Sequence, residues 1–589
     1  MEKTSPQERA DRFINEEKQF QLGFLITEQS HPKTRGLSDA LAEETQKGLA
    51  MLYSVDEDIP PVLERVIASP PFRKLVDSMA GSLAGGGRVI FSGCGATGRL
   101  AILLDAANRR FRTDGTARFP EPAEKYAGGA ESTGAVMTGG DYALVKSVES
   151  FEDYASFGYR QMAERNPTPN DTVVAISEGG ETSSVIGTIH AGLDAGARTH
   201  FLFNNPAALM AERIDRSREV IEDPRVNVID LTTGPMGIAG STRMQATTIE
   251  MLVAGSAFEL ASAPEGAGRR TPERTAAEFR TLLAQLQSPE NLRAAADYID
   301  FETEIYGAGG RVTYFADRAM IDIFTDTTER SPTFKIPPFR ADNDAVSPAP
   351  WALVKDPTHD TVSAWKSILY HTPNCIAWTP EEYRRMGAPE SIAACPLKIG
   401  VEELYRFRIG NEPDPSRTET TPNAAVAFLL GDETAYTRSP RNPWLTAFRE
   451  RTAGFRTKAV LAIGPDAPSL EGFDRVFHIK VDLPETPLNL FGHLASKLAL
   501  NNISSATMGK LGRLSSNWMA HVAASNKKLI DRSIRLAAEL GGVDYRTAAV
   551  EFFRTLDELE ELPPSEAGTI SPAARAAENL RKRNGAERG

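Results

Sequence analysis

The sequence predicts an α/β architecture of two parallel-sheet domains in tandem, with helical segments at the N- and C-terminal ends. Three observations predict it. From Val62 short β-rich runs alternate with helical stretches, the alternation restarts at Arg311, and a chain of 589 residues is too long for one hydrophobic core.

Residues 1–60 read as a helical segment, because Leu37 to Tyr53 sets apolar residues at helical spacing before the break Asp56-Glu57-Asp58-Ile59-Pro60-Pro61. The first α/β domain takes residues 61–265. Its strands are expected at Arg88–Ser92, Thr172–Ser177, Thr199–Phe203 and Val226–Leu231, with helices such as Thr182–Ala195 between them. A stretch rich in Ala, Pro, Gly and charge, Ser262–Glu273, marks the exit. The second domain takes residues 266–493, with strands at Arg311–Ala316, Asn374–Trp378, Ala459–Ile463 and Arg475–Val481. Between its early strands the Pro-rich section Ser331–Pro350 is predicted to be a long surface or active-site loop. Residues 494–589 close the chain, helical from Leu494 through Leu559, with a Pro-, Ala- and charge-rich frayed tail expected over Glu561–Gly589.

Composition narrows the function. A net charge of −13 argues against broad nucleic-acid or anionic-membrane binding, which need a basic excess, so any anion must be held by a local site. Cys94, Cys375 and Cys395 lack paired or metal-ligand spacing, as do the few histidines; no metal or organic cofactor is implied, and His371 and His493 read as structural. Met1 to Phe20 has no apolar core of signal-peptide length and no later run is fit to span a bilayer, so a cytoplasmic protein is expected.

The chemistry starts at Val89-Ile90-Phe91-Ser92-Gly93-Cys94-Gly95-Ala96-Thr97-Gly98-Arg99-Leu100, a strand that breaks into a glycine loop and resumes as a helix. Such a turn gathers backbone N–H groups at a positive helix end, so the ligand it suits is an anion such as phosphate. Gly93-x-Gly95-x-x-Gly98 also fits a dinucleotide fingerprint, but that site needs an acidic residue at the end of the next strand, and Phe111–Lys125 is polar and Pro-broken. A P-loop is excluded, because Arg99-Leu100 stands where Lys and Ser/Thr are required. Two further anion-type turns follow strands: Ser177-Glu178-Gly179-Gly180-Glu181-Thr182-Ser183-Ser184, and Gly234 to Arg243 with Ser241 and Thr242. In a parallel sheet, loops at strand C-termini converge on one crevice; taken singly, each is also an ordinary helix cap.

The combination Ser92-Gly-Cys-Gly-Ala-Thr-Gly-Arg-Leu100, Gly139-Gly140-Asp141 with Val148-Glu149-Ser150-Phe151-Glu152-Asp153, and Gly240-Ser-Thr-Arg-Met244 resembles the SIS (sugar isomerase) family. Leu25-Ile-Thr-Glu-Gln-Ser-His-Pro32, Lys497-Leu-Ala-Leu-Asn501 and Ser525-Asn-Lys-Lys-Leu529 extend the match to the branch of N-acetylmuramate 6-phosphate etherases and glucokinase regulatory protein. The resemblance implies two SIS-type α/β/α domains, with phosphorylated sugar bound by Gly95, Ala96, Thr97, Glu149, Ser177, Glu178, Gly179, Ser241, Thr242, Arg243 and Lys528.

For the etherases it implies elimination of a lactyl ether from C3 of the open-chain sugar phosphate, followed by addition of water. That needs a base for the proton alpha to the aldehyde and an acid for the departing oxygen, roles that two carboxyl groups can divide. Glu152 falls on one family glutamate, with Glu149 three residues earlier on the same helix face. The other is missing after the glycine loop, where Asn108 stands in its place. Asp326-Thr-Thr-Glu329-Arg-Ser-Pro-Thr-Phe334, in the second half, resembles the etherase segment around it, while the second half's own loop has decayed to Ala316-Asp317-Arg318-Ala319. A composite site is therefore expected, with Glu152 and Glu329 as its catalytic pair and the second site dead. The alternatives are a non-catalytic sensor of sugar phosphate that regulates a partner sugar kinase, and a sugar-phosphate isomerase. The chain is expected to act as a monomer with an internal pseudo-dimer or as a homodimer.

Overall fold

The computed structural model describes residues 4–114, 123–264, 270–521, 524, 526–563 and 570–587. The run Val89-Ile90-Phe91-Ser92-Gly93 is buried along its whole length, as a strand covered on both faces must be, and it pairs in parallel on either side. Strands β1 (Val89–Gly93), β2 (Thr133–Met137), β3 (Thr172–Ile176), β4 (Arg198–Phe203) and β5 (Val226–Asp230) form one sheet in the order β2-β1-β3-β4-β5. The second half repeats the plan: β6 (Arg311–Phe315), β7 (Ala352–Lys355), β8 (Asn423–Leu430), β9 (Thr457–Ile463) and β10 (Arg475–Ile479) run in the order β7-β6-β8-β9-β10. In both sheets every pairing is parallel, and the order reverses between the first and third strands, which opens a crevice at their carboxyl ends.

Helix α1 (Ala96–Asp114) leaves β1, α2 (Ser183–Asp194) leaves β3, and α3 (Gln245–Ser262) follows the Gly234–Arg243 turn. In the second half α4 (Met320–Phe334) holds the place of α1, and the two helices pack against each other across the boundary. Helix α5 (Leu490–Lys510) is buried at every residue except Lys510 and touches both α3 and α4. Its polar side chains tie it to the backbone ahead of α3: Lys497 Nζ donates to the carbonyls of Arg243 (2.8 Å) and Met244 (3.1 Å), and Asn501 Nδ2 to that of Arg243 (2.7 Å). Helices α6 (Lys527–Gly541), α7 (Tyr545–Glu560) and α8 (Pro572–Glu587) pack together beside the first half. Among the described residues no helix is long and apolar enough to cross a membrane.

Several expectations need correction. The strand expected at Asn374–Trp378 is absent; Ile376 makes one bridge to Ile399, and Trp378 stacks on Phe151 of the first half with centroids 6.0 Å apart. Its apolar content serves that contact instead of a sheet. Strands β2, β7 and β8 were not expected: β2 is an edge strand diluted by Gly134, and Asn423-Ala-Ala-Val-Ala-Phe-Leu-Leu430 is Ala-rich and buried on both faces, with no alternation to announce it. The tail is not frayed throughout. Ser571 caps α8, whose Ala576 and Leu580 pack on Phe552 and Phe553; residues 564–569 and 588–589 lie outside the described residues, as do 115–122 and 265–269 of the stretches Phe111–Lys125 and Ser262–Glu273. Ser331–Phe334, the start of the section predicted as a loop, instead complete α4, which ends where Lys335 turns left-handed (φ 50°).

Candidate active site

The glycines of the first loop are dictated by space. A Cβ on Gly93 would stand 2.4 Å from the Thr97 carbonyl carbon, one on Gly98 would meet Met137 Cγ at 2.6 Å, and Gly95 takes φ +56°. Thr97 Oγ1 closes the turn, accepting from Cys94 N (3.1 Å) and donating to Cys94 O (2.9 Å). The loop thus sets Gly95 and Ala96, at the positive end of α1, on the wall of a cavity at the β1/β3 crevice.

That cavity gathers most of the expected residues. Gly95, Ala96, Glu149, Glu152, Glu178, Ser241, Thr242, Arg243 and Lys528 line it together with Glu329 of the second half. Glu329 Oε1 accepts from Arg99 Nη1 and lies 3.7 Å from where a Cβ on Gly95 would stand. Three expected ligands are not on the lining. Thr97 is spent inside its own loop, Ser177 Oγ accepts from Gly180 N (3.1 Å) and donates to Thr182 Oγ1 (3.1 Å), and Gly179 offers its carbonyl to Asn205 Nδ2 (2.9 Å). These residues shape loops rather than face the cavity. Arg243 does line it, yet its guanidinium is committed to Asp326 Oδ1 (2.8 Å) and to the Ser504 and Ser505 hydroxyls of α5.

Charge in the cavity is closely paired. Lys528 Nζ lies 2.5 Å from Glu152 Oε1 and 3.8 Å from Glu181 Oε1, and Arg532 Nη2 lies 2.6 Å from Glu28 Oε1. Burial works against the Lys528 ammonium, but Glu152 and Glu181 overrule it and hold its pKa well above the ordinary value. Glu149 and Glu152 present their carboxylates on one side, though of a single 3₁₀ turn and not of an α-helix. Glu149 opens that turn and Glu152 ends it, and both are reached by Asn526 Nδ2, at 3.1 and 3.4 Å. Burial first, then the Glu152 and Glu329 carboxylates, push Glu149 up to about 7; burial likewise pushes Glu178 up to about 8. Burial, then the Glu152 and Glu149 carboxylates, hold the Cys94 thiol well above its ordinary value, which disfavours the thiolate. Three lining residues keep buried polar atoms without a protein partner, Ser241 Oγ, Arg99 Nε and Arg243 Nε, as a site does that awaits a polar ligand or water.

Sequence reasoning named Asn526 only as part of a motif. It caps α6, its Oδ1 accepting from Leu529 N (2.9 Å), and an Asn ahead of a helix-periodic run signals that cap; its reach to two glutamates has no local signal. His371 and His493 are tied to Asp105 (3.6 Å) and Asp322 (2.9 Å).

The related cavity of the other sheet is differently equipped. It is lined by Ala107 and Arg110 of α1 with Arg318, Asp432 and Glu433. There the loop amide of Arg318 donates to Glu433 Oε1 (3.0 Å), and its guanidinium bridges Glu433 and Asp432. Asn108 turns inward to Gly129 O (3.2 Å) and Thr133 Oγ1 (3.1 Å). Arg109 pairs with Asp105 four residues back, as Arg330 does with Asp326, so Asn108 and Glu329 hold equivalent places on α1 and α4.

Similarity to known proteins gives the family of the chain. The glucokinase regulatory protein N-terminal SIS domain family matches residues 72–193. N-acetylmuramic acid 6-phosphate etherase 1 of Bacillus licheniformis is 32% identical over 232 residues, 39% of this chain and 66% of its own length. The etherase of Nostoc punctiforme is 34% identical over 39% of this chain and 65% of its own, and that of Serratia proteamaculans 30% identical over 39% and 68%. The chain therefore spans about 65% of the length of the first two relatives. Among solved structures, the C-terminal domain of glucosamine-fructose-6-phosphate aminotransferase from Francisella tularensis aligns over 80% of this chain and 97% of its own at 10% identity, with a TM-score of 0.41. The chain belongs to the SIS family, in the branch that holds the N-acetylmuramic acid 6-phosphate etherases and glucokinase regulatory protein.

Proposed function

We propose that the chain is a sugar-phosphate lyase of the etherase type whose one working site is assembled from both halves. The observation that carries this reading is Glu329, which reaches from α4 to the glycine loop of the other sheet and lines the cavity that holds Glu152. The phosphate sits at the α1 N-terminus against Gly95 and Ala96, with Ser241 and Thr242 as hydroxyl donors. Glu152, paired with Lys528, takes the proton alpha to the open-chain aldehyde. Glu149, pushed up to about 7 by burial, holds a proton and passes it to Glu329, which delivers it to the departing ether oxygen as the C–O bond breaks.

The test is incubation of the full chain with N-acetylmuramate 6-phosphate, following release of lactate. Catalysed lactate release supports the lyase. A regulatory sensor is the second reading, favoured by one observation: the Arg99–Glu329 and Arg243–Asp326 pairs tie the two halves together across the cavity, so an anion drawing Arg99 away alters how they are held. Tight binding of fructose 6-phosphate without lactate release supports that reading instead. Hydrogen exchange at C2 without lactate marks an isomerase.

A further inference from the structure

The active-site cavity measures about 110 Å³, small beside the roughly 300–1,000 Å³ of pockets that enclose a whole small-molecule ligand. A second cavity, of about 910 Å³, adjoins it and shares Ser147, Glu149 and Pro332 as wall. Its far side is the section that follows α4. Ile336, Pro337, Phe339, Pro348 and Trp351 make it apolar. In a protein of net charge −13, its charged lining is Lys146, Lys335 and Arg513 against the single carboxylate of Glu149.

These cations are placed at the apolar wall rather than scattered. Arg513 lies over the Trp351 ring at 5.6 Å and meets His521 Nδ1 at 3.2 Å, while Lys335, in its left-handed turn, donates to Ile570 O. Lys146 is exposed. At the rim Val346 is 94% exposed, more than any other large apolar side chain among the described residues. An apolar chamber with a basic rim selects a group that is apolar along its length and anionic at its end.

We infer that this chamber is a substrate subsite, which receives an extended, carboxylate-terminated acyl or peptidyl substituent of the sugar phosphate bound next door. The inference rests on the sugar-phosphate reading of the neighbouring cavity. The substituent leaves the sugar past Glu149 and Pro332, lies against Trp351 and Phe339, and ends among Lys146, Lys335 and Arg513. The site so extended prefers a larger substrate than a lactyl sugar alone.

The test uses the full chain and three compounds: N-acetylmuramate 6-phosphate, the same compound with its lactyl carboxyl extended by Ala-Ala, and the Ala-Ala amide that lacks the terminal carboxylate. Affinity is read by calorimetry and by Trp fluorescence, and turnover by release of the ether acid. The Ala-Ala compound is expected to bind about tenfold or more tightly than the parent, with most of that gain lost in the amide. The ratio between the two compounds is expected to fall severalfold in Lys146→Gln and in Val346→Glu, both surface changes that leave folding intact, and to vanish in Arg513→Gln. Equal affinity for parent and extended compound overturns the subsite and leaves the lyase reading standing. Preference without turnover overturns the lyase reading and keeps the subsite, and no binding of any of the three overturns both.

Discussion

Glu329→Gln is the sharpest perturbation of the composite site, because it changes one atom type in the second half and asks for a chemical effect in the first. The Glu329 side chain is 16% exposed and the Arg99 side chain it pairs with is fully buried. Arg99 keeps two other acceptors, Ala143 O at 2.7 Å and Ser147 Oγ at 3.3 Å, so the guanidinium is not orphaned, and the glutamine carbonyl can still accept from it. The stability loss is therefore that of one charge-assisted hydrogen bond, about 1.5–3 kcal/mol, below the roughly 3–5 kcal/mol of stranding a buried charge. The chemical loss is larger. An amide cannot exchange a proton with the departing oxygen, so kcat for lactate release is expected to fall ~10²–10⁴-fold, about 3–5 kcal/mol of barrier. Binding moves the other way: a neutral glutamine holds Arg99 less tightly than the carboxylate does, so its charge is less fully offset beside an incoming anion, and KM holds or falls. The assay couples released lactate to a dehydrogenase and runs beside a thermal melt and a Glu329→Asp control. A kcat within threefold of wild type, in protein shown to be folded, refutes the composite site.

Three further outcomes follow from the same geometry. Glu149 sits at about 7 in the folded protein against 4.5 ordinarily, so the native state holds a proton that the unfolded chain has released; its contribution is full below about pH 4.5 and lost as pH rises through 7. Tm should fall between about pH 5 and pH 8, and less steeply in Glu149→Gln; parallel curves in differential scanning fluorimetry refute this. Gly93→Ala pushes a Cβ to 2.4 Å from Thr97 backbone and 2.7 Å from Gly98 N, which no rotamer relieves; a urea midpoint shift worth ~1–3 kcal/mol and lost sugar-phosphate binding are expected, and an unchanged midpoint contradicts it. Asn526→Ala removes the α6 cap, worth ~0.5–2 kcal/mol, together with the amide between Glu149 and Glu152. Asn526→Asp restores the cap but not the amide donor, so stability returns and turnover does not; a fully active Asp variant shows that the amide is dispensable.

The site was more legible in the sequence than the sheets that carry it. Glycine loops and caps are local, so Gly93-x-Gly95-x-x-Gly98 and the start of α2 could be read from neighbours in the chain. Strand β8 could not, since central parallel strands lose the alternation that marks a half-buried one, and its alanines weaken the propensity as well. The same limit separates the lining residues from Thr97 and Ser177: the motif contains both kinds, and only the fold decides whether a hydroxyl points into the cavity or ties its own loop. Glu329 was found by resemblance; its approach to Gly95, 230-odd residues away along the chain, rests on the packing of α4 against α1. The pairing of nearly every cation in the cavity with a carboxylate, and the apolar chamber beyond Glu149, are tertiary facts with no trace in spacing.

The pairing of α1 with α4 also explains which losses the chain has borne. Each helix begins at the loop of its own sheet and ends at the cavity of the other: α1 opens at Ala96 beside Glu329 and closes near Ala107 and Arg110 beside Arg318. The glycine loop of one cavity and the carboxylate presented to the other therefore lie on the same helix, so damage to α1 or α4 does not by itself favour either site. Yet the two departures from the etherase pattern fall together. Arg318 occupies the loop of the second cavity, and Asn108 replaces the carboxylate that α1 owes to that same cavity. The Arg318 guanidinium is held by Asp432 and Glu433 and its amide by Glu433, so both are already paired, and on the composite-site reading a glutamate at 108 would lie buried beside Asp105 with nothing to act upon. The residue instead satisfies Gly129 O and Thr133 Oγ1 and becomes part of the packing. The first cavity meanwhile keeps its loop, its Glu152 and the Glu329 that α4 owes to it. On the composite-site reading, that asymmetry is the one expected when a chain of two similar halves needs one intact site and has no use for a second.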